Sequence, residues 1–375
     1  MKEEKAVSRR SFLRGGAVAA GGVAAAGLAA PAVVGQSPLV VHMQSSWPAG
    51  DIWMDYAREY IARVEAMSGG RITVDLQPAG AIVGAFQVMD GVHDGVIDAG
   101  HTVPVYWYGK HKGASFFGTG PVFGADANTM NGWFYKGGGE EFYRELTQDI
   151  LGLNVVGFFG MPMPAQPFGW FKQPVTTVAD LQGFKYRTVG LAADLMQKLG
   201  MSVAQLPGGE IVPAMERGVI DAYEFNNPSS DLRFGSADVA KNYFLGSYHQ
   251  ASEAFEFVFN KDFWDDLEPD IQAILKHGVE ASASANSYSA MNDYSTDLLR
   301  LKDEMGVTLH RTSSEILQAQ IEAWDQLITE LETDDFNKRI MESQKAWVER
   351  VVYYQMMNQP DLRLTYEHYF PGKLV

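Results

Sequence analysis

The chain contains no cysteine. That single absence removes disulfides, iron–sulfur clusters, thiolate zinc sites and cysteine nucleophiles together. In an oxidising compartment it means a core large enough to need no covalent staple. Basic charge is also scarce: 30 Lys and Arg stand against 46 Asp and Glu, a formal net charge of −16. Such a chain has no basic footprint for nucleic acid or anionic lipid. An anionic ligand must then be held by local positive groups, not by the overall field. The eight histidines, at positions 42, 93, 101, 111, 249, 277, 310 and 368, form no His-x-x-x-His or His-Glu-x-x-His pair, which argues against a catalytic zinc site. Neither a Gly-x-Ser-x-Gly elbow nor a phosphate-cradling Gly-x-x-x-x-Gly-Lys-Ser/Thr loop is present.

What is there suits an exported globular protein. The 375 residues are 46% hydrophobic and 20% charged, ample for a core in more than one domain. Residues 1–32 form an expected signal peptide: a basic start (Lys2, Lys5, Arg9, Arg10, Arg14), a charge-poor stretch from Gly15 to Ala30, and a small-residue cleavage site at Ala30-Pro31-Ala32. The stretch is too short and too Gly-rich for a convincing membrane span. Ser8-Arg9-Arg10-Ser11-Phe12-Leu13-Arg14 matches the twin-arginine export pattern, whose route carries folded proteins and leads to the periplasm. The leader holds five Lys or Arg and two Asp or Glu, so the chain without it carries −19.

Gly-Val-Ile-Asp-Ala occurs twice, at 95–99 and at 218–222. Each time a helix-like stretch runs into Gly and on into a short apolar segment fit for a strand. Chance or shared turn chemistry is one explanation. Two α/β lobes of similar construction, with a ligand cleft between them, is the other. Apolar runs predict strands at 39–44 and 154–160, alternation predicts one at 71–76, and spacing predicts helices over 51–66 and 87–93. After Trp264 the chain turns helix-rich, with long helices over 269–304, from Ser313/Ser314, and from Asp334/Asp335 to about Met357. Packing of the last helix on its own subunit or on a partner is left open by the pattern.

The densest functional signal lies between Gln166 and Gln250. Asp180-Leu-Gln-Gly-Phe-Lys-Tyr-Arg187 reads as a helical turn, a glycine break and a strand ending in Arg187. A guanidinium there is well placed to grip a carboxylate with two parallel hydrogen bonds; a surface ion pair is the ordinary alternative. Tyr106-Trp-Tyr108 is an aromatic cluster of the kind more often found in a core, but it follows a predicted strand end, where open α/β sheets bind ligands.

The chain resembles the solute-binding proteins of tripartite ATP-independent periplasmic (TRAP) transporters, of the DctP type. Within them it is most similar to the branch that binds 2-oxo or 2-hydroxy monocarboxylates. The residues that carry the resemblance are Asp180-Leu-x-Gly-x-Lys-x-Arg187, Leu206-Pro-Gly-Gly-Glu210, Gly218-x-Ile-Asp-Ala222 with Glu224, His101-Thr102, Tyr106-Trp107-x-Gly-Lys110, Tyr243 and Asn260-Lys261. The resemblance implies an α/β fold of the two-lobed periplasmic-binding-protein type II, with long C-terminal helices. Expected boundaries are 38–160 plus part of 250–290 for lobe I, 163–249 plus part of 291–332 for lobe II, and 334–375 for a helical arm able to join a homodimer. It implies a periplasmic subunit that captures a pyruvate- or lactate-like acid by lobe closure and hands it to integral membrane partners.

For the site, the resemblance implies that Arg187 pairs with the ligand carboxylate, with Tyr106, Gln166 and Glu224 also lining the site; Asn226 stands where the chain departs from the branch's usual Trp-Val-Gly and offers a further polar contact. Gln166, Glu224, the Phe225 carbonyl and Gln250 would hold a metal cation through oxygen, as hard cations require. Glu224 and the ligand bring two negative charges, and Arg187 and sodium two positive ones, so sodium is favoured over calcium. The branch usually has Trp at Phe225, and Tyr-Pro-Gly-Trp-His-Glu where this chain reads Phe244-Leu-Gly-Ser-Tyr-His-Gln250. The lost acid subtracts a negative charge from the expected metal shell. An exported metal-assisted enzyme acting on a 2-oxo acid, with Glu224 as base, is the competing reading.

Overall fold

The computed structural model describes residues 38–374; the expected signal peptide lies outside the described residues. The strands run, in chain order, β1 Leu39–Ser45, β2 Ile72–Gln77, β3 Ala99–Thr102, β4 Val155–Met163, β5 Gly169–Phe171, β6 Lys185–Arg187, β7 Ser202–Ala204, β8 Ala222–Tyr223, β9 Asn242–Leu245, β10 Glu253–Asn260 and β11 Thr308–Arg311. They form two sheets, ordered β2-β1-β3-β10-β4 and β11-β9-β5-β8-β6-β7. In the first, β1 pairs in parallel with β2 and β3, and β10 runs antiparallel beside β3 and β4. In the second, β6 pairs in parallel with β7 and β8, and β5 runs antiparallel beside β8 and β9. Each sheet thus holds a parallel trio whose first strand lies in the middle and whose third strand borders an antiparallel neighbour.

The helices that link these trios begin and end where local chemistry dictates. Asp51 caps the helix Ile52–Ser68 by accepting from the Trp53 N–H at 3.0 Å, and Gly69 ends it in the left-handed region. Its buried side, Trp53, Tyr56, Ala57, Tyr60 and Val64, covers the first sheet. The second trio is linked by the helices Leu191–Lys198 and Gly208–Glu216.

The repeated pentapeptide does the same work in both sheets. The helix Val88–His93 runs into Gly95 at φ +69°, and the helix Gly208–Glu216 into Gly218 at φ +70°, a conformation that glycine adopts without a Cβ penalty. The Val96 N–H donates to the Gly91 carbonyl and the Val219 N–H to the Ala214 carbonyl, both at 2.9 Å. The Asp98 N–H then bonds the His42 carbonyl beside β1 at 3.0 Å, and the Asp221 N–H bonds the Lys185 carbonyl on β6 at 2.8 Å. Each turn therefore aims its strand to pair with the trio's central strand.

The helix Pro269–Asp303 spans the molecule, packing on β4, on the helix Ile52–Ser68 and on the helix Pro228–Phe234. The helix Ser314–Leu331, capped by the Ser313 hydroxyl, lies against the helix Leu191–Lys198. The helix Asp335–Asn358 buries Phe336, Ile340, Met341, Gln344 and Val348 on its own subunit; from Tyr353 to Leu374 every residue is exposed. No helix of the described residues is long and apolar enough to cross a membrane.

Candidate functional site

Arg187 ends β6, and its register partner on β8 is Tyr223, so the chain leaving β8 brings Glu224 beside it. Arg187 is 1% exposed. Its Nε donates to the Leu206 carbonyl at 2.9 Å, and Nη1 donates to the Glu224 carbonyl at 2.9 Å and to Glu224 Oε1 at 3.0 Å. Nη2 takes no part in these bonds. The Pro-Gly-Gly turn before the helix Gly208–Glu216 has a steric reason: a Cβ on Gly208 would lie 2.6 Å from the Phe225 ring. That ring stacks on Phe234 at 4.7 Å and lies 5.7 Å from the Arg187 guanidinium carbon.

Arg187, Glu224, Phe225, Asn226 and Gln250 face a small cavity of about 10 Å³. Tyr106 closes it from the first sheet, on a short helical turn Pro104–Trp107 that follows β3. The cavity has room for about one water molecule, far below the roughly 300–1,000 Å³ of pockets for drug-sized ligands, so the walls must part to admit a solute of several heavy atoms. A larger open groove lined by Tyr248, Met291, Tyr294 and Leu317 reaches neither Arg187 nor Glu224. Size is the weaker guide here, because a buried guanidinium facing a cavity is the costlier feature to build.

Gln166 is fully buried beside this wall. Its backbone N–H bonds the Gln250 carbonyl at 3.0 Å, its amide nitrogen bonds Glu224 Oε2, and its Oε1 has no partner. Gln250 repeats the pattern: its Nε2 bonds Glu253 Oε2 and its Oε1 has no partner. The Asn226 amide nitrogen is likewise buried and unpartnered. Burial pushes the Glu224 carboxyl above its ordinary range, against the pull of Arg187. Glu253 is pushed up to about 8, by burial first and then by the Glu224 charge.

Among the described residues no group of three or more His, Cys, Asp or Glu is placed to hold a metal ion. The donors at this wall are instead two carboxylates and two amide oxygens. The orphaned, buried oxygens of Gln166 and Gln250 are what a hard, oxygen-seeking cation would satisfy, so the residues present fit sodium or calcium. His101 and His249 are fully buried and pushed down to about 3 by burial, which leaves both neutral at physiological pH.

The model of bacterial extracellular solute-binding proteins, family 7 (DctP), matches residues 43–334. The chain belongs to the DctP family. This DctP-family protein is 33% identical over 330 residues to the monocarboxylate 2-oxoacid-binding periplasmic protein of Nostoc sp. strain PCC 7120, covering 87% of this chain and 88% of that one. It is similar to the TRAP periplasmic solute-binding protein of Pseudoalteromonas atlantica T6c, solved with bound sodium and pyruvate (29% identity, TM-score 0.81, covering 89% and 99% of the two chains). It is also similar to a TRAP transporter solute-binding protein of Bordetella bronchiseptica RB50 (27% identity, TM-score 0.82, covering 89% and 97%). The Bordetella protein is a mixed-occupancy dimer, with copurified calcium and picolinate in one active site and the other apo. The mixed α/β fold with long C-terminal helices expected from the sequence is the fold of these relatives.

Sequence reasoning did not pick out Glu253 or the apolar wall of Val103, Val105 and Val189. The signal for Glu253 was an acid inside the apolar strand Glu253-Ala-Phe-Glu-Phe-Val-Phe-Asn260, where an ionisable group needs a partner or a function. Glu253 is thus a second carboxylate at the cavity wall beside Glu224.

Proposed function

We propose that this DctP-family protein is the periplasmic subunit of a TRAP transporter that captures a small 2-oxo or 2-hydroxy monocarboxylate, pyruvate- or lactate-like, together with a cation. The observation that carries this reading is Arg187, a buried guanidinium at a strand end that faces a small closed cavity. Its planar fork matches a carboxylate, and Tyr106 comes from the other sheet. Gln166, Glu224, Gln250 and the Phe225 carbonyl would hold the cation; when bound, it offsets negative charge on the acid's oxygens. Asn226 has a free N–H for a second ligand oxygen.

Export through the twin-arginine signal at 1–32, units bounded as the resemblance implies (38–160 with part of 250–290, and 163–249 with part of 291–332), and dimerisation through the exposed end of the 334–375 arm belong to the same reading. The protein binds its ligand without transforming it, so the competing enzyme reading predicts a different outcome in one experiment. Chelator-treated protein is melted with pyruvate, lactate or succinate, each with and without sodium or calcium. A monocarboxylate should raise Tm only with a cation present and should be recovered unchanged, because binding at 100 times Kd adds about 2.7 kcal/mol to stability. Stabilisation by succinate alone, or consumption of pyruvate, would rule the reading out.

A further inference from the structure

Glu253 opens β10 next to a register shift between Ala254 and Phe255. It is 4% exposed and lines the same cavity as Arg187, Glu224 and Gln250. One of its oxygens, Oε2, accepts from the Gln250 amide; the other, Oε1, is buried with no partner. Glycine keeps room beside that free oxygen: a Cβ on Gly118 would sit 3.2 Å from Glu253 Oε1 and 2.5 Å from Val105, itself in the cavity wall. Glu253 makes no ion pair with a basic side chain of the described residues, and the guanidinium at the cavity is paired with Glu224.

We infer that Glu253 is a second carboxylate ligand of the cation at this site and makes the site prefer calcium over sodium; this rests on the cation-assisted monocarboxylate binding proposed above. With both glutamates ionised on the cation, they and a monocarboxylate bring three negative charges, and Arg187 brings one positive. Calcium neutralises the remainder, whereas with sodium the site is neutral only if Glu253 keeps its proton and gives up its place as an anionic ligand. The donor count agrees. Gln166 Oε1, Gln250 Oε1, oxygens of Glu224 and Glu253, the Phe225 carbonyl and two oxygens of a 2-oxo acid fall within the about six to eight oxygens that calcium takes. Gln250 serves this arrangement twice, by presenting its own oxygen and by fixing the Glu253 carboxylate through its amide N–H.

The test is calorimetric titration of pyruvate into the chelator-treated full-length protein, with saturating calcium or sodium, for wild type and Glu253→Gln. In wild type calcium should support tighter pyruvate binding than sodium. In Glu253→Gln the calcium-supported affinity should fall by about tenfold or more while the sodium-supported affinity changes by less than about threefold. Equal loss with both cations would mean that Glu253 does not discriminate between them, and no loss with either would mean that it lies outside the cation's reach; each result would overturn the inference. Pyruvate binding in wild type that ignores both cations would instead overturn the parent reading. A crystal structure of wild type with calcium and pyruvate decides the matter even if the variant folds poorly. Glu253 oxygen at about 2.3–2.6 Å from the ion is expected, and a calcium ion bound without Glu253 would overturn the assignment.

Discussion

Arg187 grips Glu224 with the same guanidinium that would grip a ligand carboxylate, so one side chain serves stability and recognition together. The pair lies 3.0 Å apart with both members 1% exposed. Breaking a buried pair on one side typically costs about 3–5 kcal/mol, because an uncompensated charge remains. Here the cost has a ceiling: burial already lifts the Glu224 carboxyl, so it takes up a proton once its counter-charge is gone. Arg187→Ala should therefore lose pyruvate binding and also lower the urea midpoint, and adding Glu224→Gln should recover part of that stability. Strictly additive losses in the double-mutant cycle would show that the two groups are not coupled. Arg187 was legible in the sequence because a strand end, a glycine break and a helix start are all local signals. Glu253 was not, because its meaning depends on β10 lying beside the cavity, a contact between residues far apart in the chain.

At the level of elements, the twin Gly-Val-Ile-Asp-Ala turns were legible for the same reason. A left-handed glycine and a short carbonyl bond are chemistry within a few residues, and they recur because each trio needs its third strand aimed back at its first. The placing of β10 between β3 and β4, after the chain has run through β5 to β9 of the other sheet, had no such local mark. The last long helix divides in the same way. Helical spacing gave its extent but not its partner, and its first half is core: Gln344 bonds the Phe116 carbonyl at 2.9 Å, and Trp347 bonds the Thr129 carbonyl at 3.0 Å. Its exposed end carries Tyr353, Tyr354, Met356 and Met357, followed by Leu362, Leu364, Tyr369 and Phe370 on the final segment, a large apolar surface to leave in water. If that end joins two copies, a chain cut after Val352 should scatter light as a monomer with an unchanged melt, while the full chain scatters as a dimer. A cut after Thr333 should also melt lower, since it strips Phe336, Ile340 and Val348 from the core. A monomeric full chain would contradict the dimer.

Across the whole molecule, the two sheet units touch through polar contacts outside the cavity. Tyr108, from the first, donates to both oxygens of Asp194 in the second at 2.8 and 2.9 Å, and Lys112 joins the same carboxylate at 2.7 Å. Arg233 reaches Asp55 at 2.6 Å, and the Ser230 hydroxyl reaches Asp51 at the same distance. The Leu191 N–H, at the start of its helix, donates to the hydroxyls of Ser115 and Thr119 across the same boundary. If the units part to admit a ligand, such contacts exist only in the closed form, and each one tilts the balance toward it. A ligand that bridges Tyr106 and Arg187 then has less to supply. The Asp194 cluster isolates this effect, because Tyr108, Lys112 and Asp194 are all absent from the cavity wall. Hydrogen bonds to a charged group are worth about 1.5–3 kcal/mol and an exposed ion pair less than about 1 kcal/mol. Asp194→Ala should therefore weaken pyruvate binding by roughly tenfold with unchanged stoichiometry, and the wild-type advantage should shrink in high salt. X-ray scattering should find the variant more extended than wild type at subsaturating pyruvate and equal to it at saturation. If affinity and scattering both stay at wild-type values, closure is governed by the cavity alone.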